Sequence, residues 1–245
     1  MSGIWNLSSG IFGFLTGHRT MQGVNLAPFH VGKQKRDALR QQWHDLAAPF
    51  MPDTARRDEI LVQLFALYSE THRAYHNLGH IHALLFEAED WKQRAQWQDY
   101  PSAAFAIWFH DAIYQTRNDD NEERSADFAA SSLSALGVPA EIISRVGKMI
   151  LATKKHAAEG LDDDGKLFLD LDLAILGSAP EIYRAYQTAI RDEYSWVPGF
   201  LYRRARRKIL QGFLERERLY FTDHLANERE RQARDNIARE LHELG

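Results

Sequence analysis

Apolar side chains recur three and four positions apart along almost the whole chain from Lys33 onward, which is the period of an amphipathic α-helix. Most positions between them carry residues that favour helices, such as Ala, Glu, Arg and Gln. Pro52 and Pro101 stand where helices are expected to begin, and Gly137 and Gly177 where they are expected to end. The pattern predicts helices near residues 34–49, 54–70, 77–97, 101–115, 121–136, 139–154, 167–177, 179–194, 199–217 and 222–243.

No linker rich in Pro, Gly or Ser and no repeat of fixed period interrupts this pattern. We therefore expect an all-α fold in which residues 31–245 form a single helical domain. Residues 1–30 lack the helical period and also lack the basic and apolar regions of a signal peptide, and they predict a loose extension. Whether residues 1–20 belong to the native protein stays open, because Met21 is an alternative start. The clearest predicted loop is 156–165.

Charge and composition narrow the class of protein. The 30 Lys and Arg residues stand against 34 Asp and Glu residues, so the formal net charge is −4 and a broadly basic surface is not expected. The basic cluster 203–208 is expected to form ion pairs with Glu215, Glu217, Glu228 and Glu230, which makes nucleic acid an unlikely partner. No stretch approaches ~18 uncharged apolar residues, so no membrane span is expected. The amphipathic last helix could support a homodimer.

The chain contains no cysteine, which excludes disulfides, thiolate metal sites and cysteine nucleophiles. This composition fits a cytoplasmic protein. Any metal ion must be held by His, Asp or Glu, and the 11 His residues and many carboxylates leave that option open.

Two histidines in the first candidate segment, His76 and His80, are four positions apart. On a helix this spacing places both imidazoles on one face, where they could act on one centre. The alternative is a pair of unrelated surface or capping histidines.

The second candidate segment, 103–114, is apolar on every side and predicts a buried helix that ends in His110 and Asp111. A carboxylate in such surroundings needs a cation, helix-end amides or a metal to compensate its burial. The alternative to a metal is a buried His–Asp hydrogen bond.

The third candidate segment, 168–177, embeds Asp170 and Asp172 in an apolar run. On a helix Asp172 faces the core, and Asp170 is expected to act as an N-cap; the alternation of Leu and Asp also fits a short strand. Imidazole and carboxylate ligands together favour Mn, Fe, Ni, Co, Zn or Mg.

The order His, His-Asp, Asp on an all-helical chain resembles the HD superfamily of metal-dependent phosphohydrolases. The matching residues are His80, His110, Asp111 and Asp172, and the segments FHDAIY and FLDLDLAILG resemble a branch of this superfamily with no settled substrate. The resemblance extends from about Asp37 to the C-terminus. It implies an HD-type helical bundle in which these four residues hold one or two divalent ions, with Asp111 bridging the two ions if a second is present.

The resemblance also implies an activity, the hydrolysis of a small phosphorylated metabolite, with a nucleotide expected, by attack of metal-activated water on phosphorus. Whether the substrate is a monoester or a diester stays open. The HNLGH segment is similar to the His-Asn-x-x-His segment of cyclic-nucleotide phosphodiesterases, where the first His donates a proton, so His76 is the candidate general acid. No His-Pro-Gly follows His110-Asp111, so this likeness ends at the site.

Two further residues are candidates for the reaction. Arg73 could clamp phosphate, with a surface ion pair as the alternative. Glu122 could supply a site carboxylate, with a helix N-terminal role as the alternative. His156 is the single His between the His-Asp pair and the last Asp, and we expect it to be a solvated loop residue. One metal ion is therefore favoured over two.

Two other functions are compatible with the same residues. One is a non-catalytic binding module that a metal ion stabilises. The other, less favoured because it needs extra His ligands, is an HD-type di-iron oxygenase.

Overall fold

A computed structural model describes residues 29–94 and 96–245, so all but the last two residues of the expected extension 1–30 lie outside the described part. The described residues form α-helices and contain no strand, which confirms the all-α prediction. A short 3₁₀ helix, Leu173–Gly177, follows α7. The α-helices are α1 (Lys33–Ala47), α2 (Thr54–Leu67), α3 (Leu78–Gln93), α4 (Tyr100–Phe109), α5 (Asn121–Ala135), α6 (Ala140–Thr153), α7 (Asp163–Asp172), α8 (Pro180–Glu193), α9 (Gly199–Leu214) and α10 (Asp223–Glu243).

Side-chain caps set several of the helix starts. The side chain of Asp53 accepts a hydrogen bond from the N–H of Ala55, and that of Asp162 accepts one from Gly165. Such a cap contributes about 1 kcal/mol to helix stability. Because Asp162 is a cap, α7 begins at Asp163 and not near 167, so the predicted loop 156–165 is shorter than expected.

The most buried helix, α4, lies at the centre of the bundle and contacts α3, α5, α6 and α7. Every side chain from Ser102 to Phe109 is buried. The Trp108 ring packs edge-on against the Trp43 ring, with centroids 5.5 Å apart, and the Tyr68 hydroxyl donates to the Trp108 carbonyl. The end of α4 is therefore held rigidly by the packing around it.

The C-terminal end of α4 differs from the prediction. The helix ends at Phe109 and not near 115, with His110 as its C-cap. Beyond His110 the chain turns, and the N–H of Ala112 bonds to the carbonyl of Phe109. Ala112 and Tyr114 remain buried, so the apolar pattern continues although the helix does not. His110 and Asp111 thus lie at the carboxyl end of a helix, where the helix dipole favours a cation.

A continuous hydrophobic core extends from Phe29 to Ile237 and includes side chains from all ten described α-helices. Close packing at one point requires glycine, because a Cβ on Gly79 would lie 2.3 Å from the carbonyl oxygen of Phe29. This contact fixes the start of α3 against the beginning of the described chain. Within the described residues, no helix is long and apolar enough to cross a membrane.

Candidate metal centre

Three helices bring together a group of residues that could hold a metal ion. His80 lies in the first turn of α3, His110 at the end of α4, and Asp172 is the last residue of α7. One ligand atom from each lies within 4.8 Å of the other two. His80 and His110 are buried, and Asp172 is half-buried.

The three ligand atoms are spaced as ligands around one ion would be. His80 Nε2 lies 3.1 Å from His110 Nε2 and 3.2 Å from Asp172 Oδ1. His110 Nε2 lies 3.4 Å from the same Asp172 oxygen. With bonds of about 2.1 Å, neighbouring ligand atoms are about 3.0 Å apart in an octahedron and about 3.4 Å apart in a tetrahedron. All three distances therefore fit a single coordination sphere.

Asp111 lies beside this group. Its Oδ2 is 3.1 Å from His110 Nε2 and 3.7 Å from His80 Nε2. Burial is the largest effect and opposes the ionised form of Asp111, but His110 and His76 together lower the pKa of the carboxyl below its usual range. Asp111 is thus an ionised carboxylate within reach of the same ion.

The hydrogen bonds of His110 show which of its nitrogens faces the group. His110 Nδ1 lies 2.9 Å from the carbonyl oxygen of Ile107, which can only accept, so Nδ1 carries the proton. In the neutral ring the lone pair is then on Nε2, which faces His80 Nε2 at 3.1 Å. A backbone carbonyl in this role is typical of metal-ligating histidines.

The charges of the group favour a divalent cation. Burial lowers the pKa of His80, so its imidazole is neutral. Burial acts in the same direction on His110, but the Asp111 and Asp172 carboxylates outweigh it and raise the pKa of His110. Two carboxylates and two imidazoles in a buried place thus attract positive charge. The mixed N and O ligands suit Mn, Fe, Ni, Co, Zn or Mg, and no one metal is singled out.

His156 differs from its prediction as a solvated loop residue. It is 2% exposed, and its Nε2 lies 2.8 Å from Asp172 Oδ2. Its backbone has a φ of 43°, which is rare for a residue other than glycine. Asp172 therefore contacts His80 and His110 through one oxygen and His156 through the other.

A cavity adjoins this group, and Glu122 is part of its wall. Burial raises the pKa of Glu122, and its Oε2 is buried without a hydrogen-bond partner. The Lys154 ammonium lies 3.9 Å from Glu122 Oε2. The structure thus brings the candidate carboxylate Glu122 to the cavity. The lining also includes Tyr75, His76, Asp111, Tyr114, His156, Asp172, Tyr186 and Tyr194.

His76 reaches the site differently from the prediction. Asn77 caps α3, which begins at Leu78, so His76 precedes the helix and does not share a helical face with His80. The two rings are nevertheless close, with centroids 6.0 Å apart. His76 and His80 are therefore close together as expected, but a shared helical face is not the reason.

The sequence analysis missed Glu193, the last residue of α8, which holds His76 in place. Glu193 Oε2 lies 2.7 Å from His76 Nδ1, and Oε1 accepts the His76 N–H at 2.9 Å. The same carboxylate accepts the N–H of Tyr75 and the hydroxyl of Tyr114. A signal was available, because Glu193 follows Tyr186, Ala189 and Ile190 on the buried face of α8 at helical spacing.

The pair formed by His76 and Glu193 shifts the pKa of both groups. Burial disfavours the charged forms of both side chains. The carboxylates of Glu193, Asp111 and Asp172, with Glu193 the largest, together outweigh burial and raise the pKa of His76. His76 in turn lowers the pKa of Glu193. The imidazole therefore holds its proton to a higher pH than an exposed histidine would.

Arg73 does not line the cavity as a phosphate clamp would, and it is also not a surface residue. Its guanidinium donates to the carbonyls of Asp111 at 2.6 Å, Ala112 at 2.8 Å and His76 at 3.1 Å. Its Nε bonds to Glu70 at 3.0 Å. Arg73 thus joins the segment before α3 to the turn after α4.

Of the two aspartates of α7, Asp172 faces the buried histidines as expected, and Asp170 differs from its prediction as the N-cap. Asp170 lies within the helix and is fully buried, whereas Asp172 is partly exposed. Asp170 does not cap its own helix. It accepts hydrogen bonds from the N–H groups of Phe221 and Thr222 and from the Thr222 hydroxyl, just before α10.

Comparisons of the chain with protein-family models, with curated proteins and with solved structures found no match in any of the three. The resemblance to the HD superfamily therefore depends on the residues themselves and on the geometry of the group that they form.

Proposed function

We propose that the protein is a metal-dependent phosphohydrolase of the HD type that acts on a small phosphorylated metabolite, with a nucleotide as the expected class. His80, His110, Asp111 and Asp172 would hold the divalent ion. The main support is the spacing of 3.1–3.4 Å between ligand atoms of three buried or half-buried residues. The adjoining cavity is lined by the two carboxylates of that group, Asp111 and Asp172.

A divalent ion at this position would lower the pKa of a bound water and offset the charge on phosphoryl oxygens. The protein supplies the proton for the leaving oxygen from His76, whose Nδ1 is bonded to Glu193 and whose Nε2 is the delivering atom. The Lys154 ammonium, 3.9 Å from Glu122 Oε2, offsets the charge of this cavity carboxylate toward a phosphate.

The proposal is tested by metal analysis and a substrate panel. Protein purified with added divalent metals should contain one or two ions per chain and release phosphate or split a diester in a panel of nucleotides, sugar phosphates and phosphodiesters. Asp111→Asn should remove that rate while the helical circular dichroism is kept. Asp127→Asn, on the exposed side of α5, is the matched control.

Other results of the same experiment support other functions. A wild-type protein that binds metal but hydrolyses no member of the panel, and that loses only thermal stability in Asp111→Asn, is a metal-stabilised binding module. Two irons with oxygen-dependent turnover support the di-iron oxygenase, for which His156 would be the extra His ligand. Protein without bound metal after supplementation contradicts all three.

Replacement of Glu193 by Gln should lower kcat about 10- to 100-fold with little change in KM, because Glu193 orients a reacting side chain without touching substrate. The pH profile should also change. Glu193 raises the pKa of His76, so its neutral substitute lets His76 lose its proton at lower pH. A general acid must be protonated to act. The loss of activity with rising pH should therefore begin at a lower pH in the variant than in the wild type.

The control for this variant is Glu181→Gln, on the same helix but exposed. If Glu193→Gln only lowers the melting temperature and leaves kcat and the pH profile unchanged, the positioning role of Glu193 is refuted.

A further inference from the structure

Helix α9 has a buried side and a basic exposed side. Tyr202, Leu210 and Phe213 are buried, and Arg206 among them donates to Glu240 at 2.8 Å as an internal ion pair. On the other side of α9 lie Phe200 and the residues three, four, seven and eight positions after it. At 100° per residue, these five positions share an arc of roughly 140° around the helix. We call this the basic face: Phe200, Arg203, Arg204 and Lys208, which are exposed, and Arg207, which is half-buried.

Within the described part of the chain, the cations of the basic face have no acidic ion-pair partner. We expected ion pairs with nearby glutamates, and that expectation was wrong. Among residues 29–94 and 96–245, Glu228 pairs with Arg94 at 3.5 Å and Glu230 with Arg234 at 2.7 Å. In the same part of the chain no carboxylate lies within ion-pair distance of the four cations: Arg203, Arg204, Arg207 and Lys208.

This concentration of charge is unfavourable by itself. Arg203 with Arg207 and Arg204 with Lys208 are like-charged pairs four positions apart, and each such pair costs about 0.2–0.5 kcal/mol on a helix. The protein as a whole carries a formal charge of −4, so the basic face stands out from its surroundings. A bound polyanion would remove the repulsion and would be steered to this side.

The composition of the face identifies the polyanion. Three of its four cations are arginines, whose forked guanidinium donors match phosphate oxygens. Phe200 is 64% exposed at one end of the face and offers a ring for base stacking. A lipid surface fits less well, because a helix that lies on a membrane buries an apolar face, and Phe200 is the one apolar side chain among these five.

We propose that the basic face of α9 binds single-stranded nucleic acid through its phosphates, with one base stacked on Phe200. Residues 200–208 span about 12 Å along the helix, and the four cations along this length can contact three or four successive phosphates. The proposal does not depend on the metal centre, because none of the basic-face residues lines that cavity.

The test measures the fluorescence anisotropy of labelled 12-nucleotide RNA and DNA strands with the whole protein at several salt concentrations. Contact with three or four phosphates predicts a slope of log K against log salt of about −2 to −3. Replacing the four cations together by Gln should weaken binding at least about 30-fold at low salt and flatten that slope. Phe200→Ala should weaken it about 10-fold with the slope unchanged.

The matched control changes four exposed cations on other helices to Gln: Arg56, Lys148, Arg184 and Arg231. It removes the same charge and should bind like the wild type. Equal weakening in this control would show general charge attraction and overturn the proposal. No strand binding by the wild type would also overturn it, as would binding to phosphatidylserine vesicles alone.

Discussion

Replacement of Asp172 by Asn should weaken the binding of a divalent metal by at least about 100-fold and reduce hydrolysis to background. Asp172 has the most contacts within the candidate group, because one oxygen faces His80 and His110 and the other faces His156. Asn keeps the size of the side chain but removes its negative charge and places N–H donors near the ring nitrogens. The remaining group would hold one carboxylate, Asp111, at its edge.

Metal affinity is measured by titration calorimetry with Mn²⁺ and Zn²⁺, and the metal's effect on folding by thermal unfolding. Wild-type protein should gain about 2.7 kcal/mol of stability when the free metal concentration is 100 times the Kd. Asp172→Asn should gain almost nothing at that concentration. Asp163→Asn, on the exposed first turn of the same helix, should match the wild type. An Asp172→Asn protein with unchanged metal affinity would show that the group is not a metal centre.

Replacement of Arg73 by Met should lower the free energy of unfolding by about 3–5 kcal/mol. This is the largest loss of stability that we expect from a single substitution. Met keeps the apolar stem but removes every donor. The carbonyls of His76, Asp111 and Ala112 would then be buried without their partner, and Glu70 would lose its cation. Urea unfolding should show a lower midpoint with an unchanged slope.

Arg94→Met is the matched control, because Arg94 forms an exposed ion pair with Asp90 that should contribute at most about 1 kcal/mol. The experiment also separates the two roles considered for Arg73. If Arg73→Met unfolds like the wild type but binds substrate poorly, then the phosphate clamp considered from the sequence is correct and the structural role is wrong.

The fold class could be predicted from the sequence because helical periodicity is a local signal. All ten described α-helices overlap predicted ones. The ends of α4 and α7 were placed wrongly because apolar burial and helical hydrogen bonding are separate properties. Ala112 and Tyr114 are buried in a turn, and Asp162 starts a helix in a polar segment that reads as a loop.

The candidate site could be predicted from the sequence only in part. The set His80, His110, Asp111 and Asp172 came from residue order and family resemblance, and the structure supplies the distances. The contact between His76 and Glu193 spans 117 positions, so no local pattern reports it. The burial of His156 also depends on tertiary packing, since the surrounding segment is polar and charged.

Through Asp170, the segment before α10 helps to position Asp172 of the candidate group. Asp170 lies two residues before Asp172 and receives its hydrogen bonds from Phe221 and Thr222, which precede α10. A protein truncated before residue 221 would lose these donors. The Asp170 carboxylate would then be buried without them, two residues from Asp172. The terminal helix and the ligand-bearing end of α7 should therefore lose amide-exchange protection together, as one cooperative unit.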